Sequence, residues 1–91
     1  MPHVIWRAKA RKEARQIIDY ISDRDSAAAL RLADLFAHTA ERLADHPLMY
    51  RAGRVTDTRE ALVTPNYVLI YRIGPKAIEI LNVKHTRQQY P

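Results

Sequence analysis

Along the chain, the apolar residues change spacing twice, from a short β-prone run to a helical repeat and then back to strands. His3 to Arg7, HVIWR, carries Val, Ile and Trp in a run too short for a helix, and Pro2 before it suits a strand edge. From about Ala8 to Arg24, Ala10, Ala14, Ile17, Ile18 and Ile21 recur at spacings of three and four, which predicts a helix with one apolar stripe. Arg11, Lys12, Arg15, Asp19 and Asp23 fall largely off that stripe. The pattern breaks at Arg24-Asp25-Ser26, where Asp25 or Ser26 is a natural N-cap for a second helix. That helix should run from about Ser26 to Ala44 and bury Leu30, Ala33, Phe36, Ala37, Ala40 and Leu43. His46-Pro47 ends it, because the residue before a proline avoids helical geometry. So short a break between two helices predicts an antiparallel hairpin.

Leu48 to Asp57 has no clear period and reads as a loop. Strands are predicted at Arg59–Thr64, Tyr67–Ile73 and Ala77–Lys84, separated by the turns Pro65-Asn66 and Gly74-Pro75-Lys76. The middle run is β-branched and aromatic throughout, as a central strand covered on both faces should be. The expected fold is therefore α+β: an N-terminal strand, an antiparallel helical hairpin, then a three-stranded antiparallel meander, all in a single domain over residues 1–91.

A composition of 47% hydrophobic and 27% charged residues is that of an ordinary soluble domain. The absence of cysteine excludes disulfides and thiolate chemistry. With no membrane-length apolar run and no signal-peptide core in MPHVIWRAKARK, the expected location is cytoplasmic. Charge adds more. Residues 1–50 carry eight Lys/Arg against seven Asp/Glu, whereas residues 51–91 carry seven against three, together with three of the five tyrosines. A basic second half implies an anionic partner, whether nucleic acid, an acidic protein segment or a phosphate-rich assembly.

Several chemistries drop out. The only glycines, Gly53 and Gly74, cannot form a phosphate loop. His3, His38, His46 and His85 lack ligand spacing, so neither a metal nor a cofactor is expected. Ser22 and Ser26 flank a helix break and read as caps, and Asp19, Asp23 and Asp25 as solvated faces. What remains is Arg51, Arg54, Arg59, Arg72, Lys84, His85, Arg87, Gln88 and Tyr90. A meander is expected to bring the end of the last strand near the start of the Arg59 strand or its loop, gathering much of this group. The group could grip phosphates, with Tyr90 stacking on a base. It could cleave RNA, with cations stabilising the pentavalent phosphate and His85 or Tyr90 moving a proton. Or it could simply edge a sheet with charge. Residue types alone leave all three open.

The tract from Tyr67 to Arg72 is a tyrosine, three apolar residues and Tyr-Arg, and the last strand ends Val83-x-His85-x-Arg87 before Gln88-Gln89-Tyr90-Pro91. With Arg59-Glu60, this resembles the RelE/ParE superfamily of bacterial type II toxins. Ala14-x-x-Ile17-Ile18-x-Tyr20-Ile21 and Leu43-x-x-His46-Pro47 extend the resemblance over nearly the whole chain. It implies a toxin silenced by a cognate antitoxin whose flexible, often acidic segment wraps it. The RelE branch carries basic residues before its central strand and often an arginine after its first tyrosine. Here Glu60 and Ala61 follow Arg59, and Val68 follows Tyr67. The alanine-rich hairpin and the sheet tract resemble the ParE branch, which implies binding of DNA gyrase, blocked replication and growth arrest. The alternative is a ribosome-dependent mRNA endoribonuclease working through His85, Arg87, Tyr90 and Arg59; a non-toxic relic that keeps antitoxin binding is a third reading. In each case NVKHTRQQYP, Asn82–Pro91, is the expected working end.

Overall fold

The computed structural model describes residues 3–88. Strand β1 (His3–Trp6) leads into helix α1 (Ala8–Ser22) and helix α2 (Ser26–Asp45), followed by β2 (Arg51–Ala52), β3 (Arg59–Thr64), β4 (Tyr67–Ile73) and β5 (Ala77–His85). The Asp25 carboxylate accepts the Ala28 N–H at 3.0 Å and caps α2, as its position suggested. The five strands form one sheet in the order β1-β5-β4-β3-β2. The meander is present, and β1 lies parallel to β5 at its outer edge, with Val4 opposite Ile78. Residues 48–57 are not all loop: Arg51 and Ala52 pair with Glu60 and Arg59 as a second edge strand. Two residues are too few to show a period.

Both helices pack on one face of the sheet, where Ala10, Phe36, Leu43, Ala61, Leu69, Tyr71, Ile78, Ile80 and Val83 form a continuous core. Fully burying a residue such as Leu43 is worth roughly 1.5–3 kcal/mol. In β5 the inward residues are Ile78, Ile80 and Val83, a change of parity that simple alternation would not give. A bulge explains it. Tyr71 pairs with Ile80 and Ile70 with Asn82, so Leu81 is an extra residue that flips the rest of the strand. On α2 the buried face is Ala29, Leu32, Phe36, Thr39, Ala40 and Leu43; Phe36, Ala40 and Leu43 are buried as expected, whereas Leu30 is 70% exposed, Ala37 is exposed and Ala33 is half-buried. Two series at helical spacing overlap along this alanine-rich helix, and the sheet selects the one containing Leu32 and Thr39.

Beyond Trp6 the chain leaves β1 to start α1, so the outer edge of β5 loses its strand neighbour there. Glu13 of α1 takes over part of that role. Its carboxylate accepts the Val83 N–H and the Asn82 side-chain amide, both at 3.1 Å, and pairs with Lys84. A helix side chain thus covers an edge that would otherwise offer a free donor.

Candidate functional site

The register decides which sequence candidates can cooperate. Arg59 opposes Tyr71 and Thr64 opposes Tyr67, while Tyr67 opposes His85 on the other side of β4. The end of β5 therefore lies beside the end of β3, not beside its start as expected. In a meander the first and third strands run parallel, so their starts share one end of the sheet. Five residues of strand, roughly 16 Å, separate Arg59 from the His85 end. Eight of the nine candidates fall at the two ends of the sheet, and the ninth, Tyr90, lies outside the described residues.

The group at the start of β3 holds Arg51, Arg59 and Arg72, and its cations are engaged within the fold. Arg51 pairs with Glu60 at 2.9 Å, and Arg72 with Glu79 at 3.0 Å; Glu79 also receives Arg7 at 2.7 Å. The Arg72 hydrogen bond holds the Glu79 carboxyl below its ordinary pKa against the opposing effect of burial, with Arg7 adding to the depression. Arg59 donates to the carbonyls of Tyr50 at 2.7 Å and Leu48 at 3.5 Å. Beside it, the Tyr71 hydroxyl donates to the Pro47 carbonyl at 2.6 Å. Burial pushes the Tyr71 phenol up to about 12. These two side chains fix the path of the loop leaving α2. Arg54 sits exposed in the loop between β2 and β3.

The opposite end gathers Lys84, His85, Arg87 and Gln88 around a residue not singled out from the sequence, Tyr67. Its ring packs edge-on against Phe36 (6.2 Å between centroids) and His85 (5.2 Å), which locks it in place. The segment after β5 is tied to the β3–β4 turn: Thr86 N–H donates to the Asn66 carbonyl at 2.8 Å, and its hydroxyl to the Pro65 carbonyl at 3.0 Å. Gln88 Oε1 accepts the His85 N–H at 2.7 Å. His85 Nδ1 accepts the Arg87 N–H at 3.1 Å, which requires the tautomer with its proton on Nε2. Next to these residues, Glu13, Gln16, Ile17, Tyr20, Tyr67, Val83 and Gln88 line a cavity of about 250 Å³. Burial raises the Glu13 carboxyl, but hydrogen bonds from Lys84, Asn82 and the Val83 N–H outweigh it and hold the group below its ordinary pKa. Glu13, Gln16, Ile17 and Tyr20 share one face of α1 at spacings of three and four. That was the signal available in the sequence.

A third feature is an apolar trough of about 470 Å³ between the helices, lined by Trp6, Ala14, Ile18, Ala33, Phe36 and Ala37, with Arg11, Arg15 and Asp19 on its rim. Among the described residues no group of three or more His, Cys, Asp or Glu could hold a metal ion, and no helix is long and apolar enough to cross a membrane.

Comparison with known proteins is consistent with this architecture. Residues 4–90 match the family model described as the ParE toxin of the type II toxin-antitoxin system, parDE. The chain is 34% identical to the protein Y4kP of Sinorhizobium fredii over 94% of its own length and 90% of that protein's. It is 32% identical to Toxin RelE2 of Caulobacter vibrioides, covering 93% and 96% of the two chains. Among solved structures, a chain of the chromosomal ParDE TA system from P. aeruginosa superposes with a TM-score of 0.82 at 20% identity, covering 93% of this chain and 96% of that one. YafQ from E. coli strain BL21(DE3) superposes at 0.66 and 13%, covering 94% of each chain. At such identities these two structures speak for the fold alone.

Proposed function

The chain belongs to the ParE toxin family of type II toxin–antitoxin systems, and on that premise we propose that it stops growth by binding DNA gyrase, performs no chemistry of its own, and is silenced by a cognate antitoxin. One observation supports this reading over RNA cleavage: Arg59 and His85 stand at opposite ends of the sheet. Metal-free cleavage at a ribose hydroxyl needs a proton-transfer group and a phosphate-stabilising cation within reach of one phosphate. Arg59 lies five strand residues, roughly 16 Å along the strand direction, from the His85 end and is a further two strands across, and it already donates to two backbone carbonyls. A binding surface has no such requirement. Lys84, His85, Arg87 and Gln88 then act as contact residues at the end of β5.

A nuclease reading keeps one observation in its favour, because the His85 ring packs against Tyr67 and accepts the Arg87 N–H at Nδ1, which brings an imidazole, a phenol and a cation close together. The order of events after induction separates the two. When the toxin is expressed from a tightly repressed promoter, DNA synthesis should fall minutes before protein synthesis in pulse-labelled cells. The reverse order would favour cleavage of mRNA.

The antitoxin surface in this reading is the trough between the helices. Its apolar floor suits an amphipathic helix, and Arg11 and Arg15, with Lys12 nearby on α1, favour an acidic one. Ala37→Glu sits on the exposed trough wall, so it should escape neutralisation by co-expressed antitoxin while remaining toxic. Full neutralisation of that variant would remove the antitoxin from this trough.

A further inference from the structure

The cavity beside Tyr67 has features that binding to a protein target does not require. Two of its walls are aromatic. Tyr67 is wedged between Phe36 and His85 and cannot turn away. Tyr20 is 61% exposed, yet Arg24 lies over one face of its ring at 3.8 Å and donates to the Tyr20 carbonyl at 2.8 Å, which steadies the ring. Ile17 and Val83 add apolar surface, and Gln16 and Gln88 add side-chain amides. An amide both donates and accepts, which matches the edge of a base; Gln88 Oε1 already accepts the His85 N–H, so Gln88 offers its amide N–H groups. Glu13 is ionised inside the same cavity, but its oxygens are engaged by Lys84, Asn82 and the Val83 N–H. Arg24, over the Tyr20 ring, and Arg87, the neighbour of Gln88 in the chain, are exposed cations.

We propose that this cavity takes one unpaired base of a single-stranded nucleic acid, stacked against Tyr20 and held at its edge by Gln16 and Gln88, with Arg24 and Arg87 on the flanking phosphates. Aromatic platforms beside cations are how proteins hold single strands without cutting them. An apolar peptide side chain would use the floor but leave the amides and the cations without a counterpart. Stacking on Tyr20 calls for an exposed base face, which a single strand offers and the interior of a duplex does not. The inference does not depend on which enzyme the toxin poisons. It adds direct nucleic-acid contact to a surface otherwise assigned to protein.

The test is fluorescence anisotropy of the purified full chain with a labelled eight-nucleotide oligodeoxyadenylate, and with a duplex of the same length, over a range of salt. The single strand should bind more tightly than the duplex. Tyr20→Ala should weaken it about tenfold or more, the scale of one lost stacking contact. Gln16→Ala should weaken it while leaving the duplex unaffected. Both side chains are exposed, so the variants should fold, and circular dichroism checks this. Leu30→Ala, on exposed surface of α2, should bind as the parent does. Equal affinity for strand and duplex, or a Tyr20→Ala variant that binds unchanged, would reduce the interaction to the general attraction of a basic protein for a polyanion and overturn the proposal. So would a failure to bind at low salt. Because the oligonucleotide is added without gyrase or ribosomes, its result stands apart from the identity of the target.

Discussion

Tyr71 and Arg59 face each other across neighbouring strands, and each turns its polar end to a carbonyl of the loop that leaves α2. Tyr71 is fully buried, so its hydroxyl must find a partner, and Pro47 supplies one. Arg59→Ala should cost about 2 kcal/mol and Tyr71→Phe about 1 kcal/mol in urea unfolding, the usual scale for charged and neutral hydrogen bonds. Toxicity should follow stability in both variants. If Arg59 gripped phosphate instead, its loss would weaken target binding and leave the urea midpoint where it was. Arginine in a basic tract looked like a ligand for an anion. Its use as an internal strut was not legible, because its acceptors are backbone carbonyls that any residue carries. His85, Arg87 and Gln88 were legible as a group, being close in sequence on one strand end.

Among the elements, the clamp between α1 and β5 depends most on pH. Glu13 bonds to the Val83 N–H and pairs with Lys84, and Glu79 bonds to Arg72; both carboxyls lie below their ordinary pKa. A carboxyl with a depressed folded pKa binds fewer protons folded than unfolded. Its contribution is therefore present above the unfolded value of about 4.5 and disappears as pH falls through the folded value. The urea midpoint should decline between about pH 5 and pH 3, and Glu13→Gln should flatten part of that decline. A midpoint unchanged by pH in the parent would contradict the clamp. The meander and hairpin were legible because strand and helix repeats announce themselves within ten residues. The parallel pairing of β1 with β5 was not, since it joins segments some seventy residues apart and leaves no local pattern. The bulge at Leu81 was hidden for a related reason. In β5, where Ile78, Glu79 and Ile80 are buried in succession, alternation is too weak to show where parity flips.

At the scale of the whole molecule, the helical hairpin carries the chain from one edge of the sheet to the other and divides its surface into distinct regions. The start of β3 is a lattice of arginines held by Glu60 and Glu79, and it holds the fold together. The end of β5 presents His85, Arg87 and Gln88 beside Tyr67 of β4, and it is the surface proposed for the target. The helical trough, an apolar floor rimmed by Arg11 and Arg15, is the surface proposed for the antitoxin. The net charge of +5 helps both associations at low ionic strength and should weaken them as salt rises. The central claim is that the target is gyrase and that the toxin binds without cutting. The most direct measurement adds the purified chain in parallel to a gyrase supercoiling reaction and to programmed ribosomes carrying mRNA. The account predicts trapped, cleaved DNA in the first and intact message in the second. Cut message with unimpaired supercoiling would contradict it.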